Sequence, residues 1–423
     1  MAIVRARVAA WCLPLAMLVW LGAVPDAVSE IVDELPIGLS DFPRKVRRPL
    51  PEVRPGQEVR VGPLKLHPSM RTAVQFDDNV RLRDIDKPAD VAFIQRPALV
   101  GEVFFGPHRL EAGYGMEVVT YAKDSEENSV NHLANGELEL NFGDFHINVS
   151  DAFEASQSRL ADETSDRDRF RLNTVQATGR YDRPHWAMET GYIHNTIDHR
   201  TLAFDKKDYG EDVFSGLVGY KVLPKTLFLF ETDAGLVNFD HNVSSADQSY
   251  WQVLSGIRGE VTSRLTATVK LGYQNRQMGD IGGQGPQKDF SGFVADNELE
   301  FAATPDDSFR AGYLRTVVPS TFSTNNWYTL DRIFASYTKH LSGRWRVTPK
   351  VAWQLNDYPE NSTVNGITKQ RADSFVVAGA EVRYLIQQWL SAGVAYNFRT
   401  RNSNIDTFDF SNNLVTTDIT VAF

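Results

Sequence analysis

The chain has 423 residues, of which 42% are hydrophobic and 23% charged, and a mean hydropathy of −0.31 excludes a bundle of apolar membrane-spanning helices. The formal net charge of −10 argues against a nucleic-acid binder, because neutralising phosphates requires a basic surface. A single cysteine, Cys12, rules out a disulfide framework.

Residues 1–29 read as a cleaved signal peptide. Arg5 and Arg7 precede an apolar run from Val8 to Val24, and the small residues Ala23, Ala27 and Ser29 follow, so cleavage is expected between Ala23 and Ser29. The alternative is a membrane anchor, for which the run is short and lacks a stop-transfer cluster. Cys12 would leave with the signal. Residues 30–63 carry Pro36, Pro43, Pro49, Pro51, Pro55 and Pro63 around a basic cluster at Arg44, Lys45, Arg47 and Arg48. Such proline density blocks helix and ladder alike. This stretch reads as a solvated periplasmic leader, or as a tether or lumen plug held by acidic wall residues.

Residues 64–423 alternate apolar and polar with period two. Leu265, Ala267, Val269, Leu271 and Tyr273 share one face while Thr266, Thr268, Lys270, Gln274 and Arg276 share the other. The final segment sets Val415, Thr417, Ile419, Val421 and Phe423 against Leu414, Thr416, Asp418, Thr420 and Ala422. Eighteen such segments are centred near residues 71, 97, 115, 137, 150, 174, 192, 215, 232, 255, 271, 297, 313, 333, 350, 378, 395 and 416. Many run to about 12–15 residues, longer than soluble strands and long enough to cross a bilayer while tilted. Tight turns such as Gly106 to His108, Gly143 to Asp144 and Ser342 to Gly343 alternate with longer loops such as Asp77 to Asp90, Gln157 to Asp166 and Asn356 to Gln370. Tyr114, Tyr121, Tyr181, Trp186, Phe239, Trp251, Trp345, Tyr358 and Trp389 recur near segment ends, as two headgroup-level girdles would. The expected fold is all-β: a transmembrane antiparallel up-and-down barrel of about 18 strands over residues 64–423, with both termini periplasmic and the cell outer membrane as its location.

Eighteen strands enclose more space than side chains can fill, so the lumen wall is the candidate site. The polar face supplies an acidic arc of Glu111, Glu117, Glu137, Glu139, Glu231, Asp233, Glu260, Glu298 and Glu300. A basic arc follows from Lys65, Arg71, Arg315, Arg344, Arg346, Lys350, Arg383, Arg399 and Arg401. Opposed arcs would orient polar solutes and let a basic wall guide an anion. The blander alternative is that these charges pair across neighbouring strands and keep the lumen wet. No catalytic, cofactor or metal site is expected. His194 and His199 are the closest histidine pair but lack ligand spacing, His146 and Ser150 lack a third member, and Gly282, Gly283 and Gly285 fall in a loop, not at a strand-to-helix turn.

The segment His67 to Val80 (HPSMRTAVQFDDNV), Ala89-Asp90, Pro97-Ala98-Leu99, the turn from Tyr220 to Thr226, Gly256 and Gly272-Tyr273 together resemble the putative outer-membrane β-barrel porin 2 family. The resemblance covers roughly residues 64–423. It implies export of an exopolysaccharide or capsule polymer and names no site residue. A general diffusion porin for small hydrophilic solutes, or a structural barrel, is the competing reading. The implied partners are the outer-membrane lipid bilayer, the barrel assembly machinery, for which Phe423 resembles the terminal aromatic signal, and a periplasmic polysaccharide-export protein.

Overall fold

The structure is a computed structural model that describes residues 59–158, 163, 165, 167–201, 207–240, 246–280, 287–320, 325–364 and 366–423. The signal segment 1–29 with Cys12, the leader as far as residue 58, and Gly282, Gly283 and Gly285 lie outside the described residues.

A short strand, β1 (Val59–Val61), precedes eighteen long ones. They are β2 (Leu64–Asp77), β3 (Asp90–Phe105), β4 (His108–Tyr121), β5 (Ser129–Phe142), β6 (Phe145–Ser158) and β7 (Asp168–Asp182). Next come β8 (Trp186–His199), β9 (Tyr209–Leu223), β10 (Thr226–Phe239), β11 (Gln248–Thr262), β12 (Leu265–Met278) and β13 (Phe290–Thr304). The last six are β14 (Asp307–Pro319), β15 (Trp327–Leu341), β16 (Trp345–Val364), β17 (Ile367–Gln387), β18 (Leu390–Ser403) and β19 (Phe410–Ala422). Each pairs antiparallel with its sequence neighbours, and β19 closes the sheet on β2 through Ser69–Asp77. Closure leaves no long unpaired edge, which a lipid environment demands because hydrocarbon hydrates no amide. The eighteen expected segments are the eighteen observed.

Two details depart from the sequence reading. Pairing starts at Val59, inside the proline-rich stretch: β1 turns through Gly62 and Pro63 and lies on β2 at Leu64–Leu66, along the edge that β19 leaves uncovered. Residues 356–370, expected as a loop, are mostly strand, because β16 and β17 continue as a two-stranded hairpin to Val364 and Ile367. Gly366 suits the tight reversal, since it takes a left-handed φ of 80° that a hairpin turn favours.

Strand alternation sorts side chains onto two faces. Outward sets are apolar: Phe228 and Phe230 on β10, Phe293, Leu299 and Phe301 on β13, and Trp345, Val351 and Trp353 on β16 are all exposed, as lipid-facing residues are. Moving each such side chain from water into hydrocarbon stabilises by about 1.5–3 kcal/mol. Outward aromatics form two levels, with Phe145 and Phe153 on β6 and Trp345 and Trp353 on β16 both eight residues apart. At the usual rise and tilt this is roughly 20 Å along the axis, close to the height of an outer-membrane apolar band. Tyr121, Phe239 and Tyr358, expected in the girdles, are instead buried within the barrel in apolar clusters.

Candidate functional site

Strand parity sorts the residues of the two arcs. Lys65, Arg71, Arg346, Lys350, Arg383, Arg399 and Arg401 share the inward faces of β2, β16, β17 and β18, and Glu111, Glu117, Glu137, Glu139, Glu231, Asp233, Glu260, Glu298 and Glu300 share those of β4, β5, β10, β11 and β13. Two residues of the basic arc do not belong. Arg315 has the parity of the exposed Phe309 and meets Asp331 at 2.5 Å on the outer face. Arg344 lies exposed in the β15–β16 turn, with its guanidinium 3.4 Å from the Tyr384 hydroxyl. Strand phase sends Arg315 outward, and Arg344 lies in a turn where no strand phase applies.

The acidic arc is less bare than its sequence suggests. Lys65, Glu102, Glu111 and Glu137 stand in register across β2 to β5. Repulsion among these carboxylates is relieved by Arg109, which lies 2.5 Å from Glu111 and 2.8 Å from each of Glu137 and Glu139. Arg96 pairs with Glu117, Lys225 with Glu260 at 2.7 Å, Arg310 with Glu298 at 2.8 Å, and Lys270 with Glu231 at 3.1 Å. Arg109 and Arg310 were missed, although their inward parity was legible. On the basic side Arg346 and Arg383 hold Glu381 at 3.7 and 2.6 Å, while Arg383 and Arg71 hold Asp418 at 3.0 and 3.1 Å. This chain runs across the β19–β2 seam. It needs Gly393, which stands between Arg383 and Asp418 in register and whose added Cβ would lie 2.8 and 2.9 Å from them.

Excess positive charge nonetheless remains on the wall from β15 to β2. Arg332, Arg346, Lys350, Arg371, Arg383, Arg399, Arg401, Lys65 and Arg71 face in, against Asp373, Glu381, Asp418 and Asp77 below the projecting hairpin. The histidine pair separates: His199 faces in and contacts Asp168, while His194 faces out, 2.8 Å from Asp212.

At the long-loop end, loops fold inward. From the β6–β7 loop Glu163 reaches Ser320 between β14 and β15, and its carbonyl accepts a 2.8 Å hydrogen bond from Arg371 on β17. Ser165 accepts one of 3.0 Å from Arg401 on β18. These contacts join strands far apart around the barrel. Phe408, beside β18, stacks on the Arg371 guanidinium at 3.7 Å, and Arg401 lies 5.1 Å from the Phe410 ring. Leu82 of the β2–β3 loop packs on Phe375 and Phe410. That loop is tied to the next by Arg81, whose guanidinium is held above its ordinary basicity by Glu126 and then Asp124, at 3.0 and 2.8 Å. One apolar cluster at this end gathers inward residues of β7 to β10 and of β14 to β16, among them Phe170, Tyr209, Val237, Leu330 and Tyr358. Sequence reading missed Glu163, Ser165, Arg371 and Phe408, because contacts between distant loops leave no periodic trace.

Residues 56–423 match the family described as Putative beta-barrel porin 2. Among solved structures, the outer membrane protein OpdK of Pseudomonas aeruginosa aligns at 11% identity over 85% of this chain and 99% of its own, with a TM-score of 0.47. OccAB4 of Acinetobacter baumannii aligns at 11% identity over 88% and 100%, with a TM-score of 0.46. The siderophore receptor PirA of Pseudomonas aeruginosa aligns at 10% identity over 85% and 80%, with a TM-score of 0.44. No curated protein matches the chain.

Proposed function

From the premise that this chain belongs to the Putative beta-barrel porin 2 family, we propose that it forms a passive outer-membrane pore for small hydrophilic solutes and favours anionic ones. The observation that carries this reading is the β6–β7 loop, whose Glu163 and Ser165 are held by Arg371 and Arg401 on a distant part of the wall. Contacts of Glu163 and Ser165 with a distant part of the wall narrow the mouth and suit small permeants. Export of an exopolysaccharide, which the family resemblance implies, calls for a path wide enough for a chain of sugar rings. Positive charge on the wall from β15 to β2 raises the local concentration of anions and selects by sign. In this reading residues 1–29 direct export, and the short-turn end, with Val59 and Phe423, faces the periplasm.

The test is conductance of the refolded protein in planar bilayers, with solute entry followed by liposome swelling. Discrete channels that prefer chloride to potassium are expected, and Arg346→Glu with Lys350→Glu should move that preference toward cations. Monosaccharides should enter several times faster than long oligosaccharides. Sealed bilayers, or equal entry of long and short sugars, would overturn the proposal.

A further inference from the structure

We infer that the lumen wall carries a binding site for a small hydroxylated carboxylate, centred on Gly379 and built by β15 to β18. The inference rests on the solute-pore reading and narrows it to one place and one ligand class. Ser336, Lys350, Gly379 and Asn397 stand in register on these four adjacent strands. All four have inward parity. Neighbouring strands lie about 4.8 Å apart, so Lys350 and Asn397 flank the glycine across roughly 10 Å of wall.

The polar groups of this row are unsatisfied. Ser336 Oγ and Asn397 Oδ1 have no hydrogen-bond partner, and neither has Thr348 Oγ1, two residues before Lys350. The four polar side chains are 8% (Ser336), 0% (Thr348), 7% (Lys350) and 2% (Asn397) exposed. Lys350 makes no ion pair or hydrogen bond among the described residues, whereas Arg346 and Arg383 on the same wall are paired. The next inward carboxylate on β17, Glu381, is already held by those two arginines.

A wall ammonium without a counter-charge attracts an anion, and each idle buried hydroxyl or amide is costly. A carboxylate taking hydrogen bonds from Lys350 Nζ and the two hydroxyls would remove that cost, while the Asn397 amide would take a hydroxyl of the same molecule. Glycine at 379 lets the Asn397 amide lie over β17 in the same register row as Lys350. A Cβ there would fall 2.3 Å from Asn397 Oδ1, so any larger residue would displace the amide from the row.

The probe is sodium gluconate, titrated calorimetrically into the detergent-solubilised full chain, with glucose as its uncharged counterpart. Saturable gluconate binding is expected, with glucose at least about tenfold weaker. Lys350→Met should weaken gluconate binding at least about tenfold, Lys350→Arg should retain most of it, and Asn397→Leu should weaken it without changing the charge. Absence of gluconate binding to the wild-type protein, equal affinity in wild type and Lys350→Met, or glucose binding as tightly as gluconate would overturn the site. Chloride conductance of the same preparation separates the two levels. A conducting barrel that ignores gluconate removes the site alone, whereas a sealed barrel that binds gluconate removes the pore reading and leaves the site.

Discussion

Arg383 and Asp418 sit on strands separated by β18 and still meet at 3.0 Å, because residue 393 between them is glycine. Gly393→Val should therefore part the pair and lower stability by about 1–3 kcal/mol, read from urea unfolding of the folded barrel in vesicles. The same scale explains what a charge inventory misreads. Arg315 and Arg383 look alike in composition, but Arg315 shares its phase with Phe309 and ends on the lipid side with Asp331. Phase is legible in the residues, since alternation from Phe309 alone sends Arg315 outward. The partnership with Asp331 was harder to see, since it depends on the register of two strands. Removing Arg315 alone leaves a carboxylate facing lipid, so Arg315→Leu should cost about 1–3 kcal/mol. Adding Asp331→Leu should recover most of that loss in a double-mutant cycle, and an additive cycle would show that the two side chains do not interact.

Strands and loops differ in how far local sequence determines them. A strand such as β12 announces itself through Leu271 and Tyr273 facing out while Lys270, Gln274 and Arg276 face in, because the pleat enforces a period of two. The β6–β7 loop gives no such signal. Its place is set by Arg371, Arg401 and Ser320, which lie 157 to 236 positions away in the chain. Glu163→Ala with Ser165→Ala removes two of those three ties while sparing the barrel wall. Single-channel traces should then show conductance raised by several tens of per cent or frequent switching between levels. An unchanged and equally quiet trace would show that these two side chains do not hold the loop in place. The hairpin of β16 and β17 was misread for a related reason: its polar stretch from Asn361 to Thr363 resembles a loop in composition, yet it pairs residue for residue with Thr368 to Gln370.

For the whole molecule, closure is the decisive event, because until β19 meets β2 both strands expose unpaired amides that lipid cannot hydrate. Phe423 lies at this seam. Its amide donates to the Pro68 carbonyl at 3.0 Å, and its ring stacks on Trp389 at 5.7 Å. An outward aromatic at the end of the closing strand is legible in the sequence; its stacking partner in the β17–β18 turn depends on register. Deleting Phe423 should reduce the heat-modifiable folded fraction in outer membranes several-fold, while molecules that do assemble conduct normally. Wild-type assembly of the truncated chain would remove that role. The paired hairpin that rises past the mouth has a use of its own. Gly366 sits exposed at its tip with open space beside it, so a short peptide epitope grafted there should leave the barrel intact. Antibody binding to that epitope on unbroken cells would then report, in one labelling step, which way round the protein is mounted.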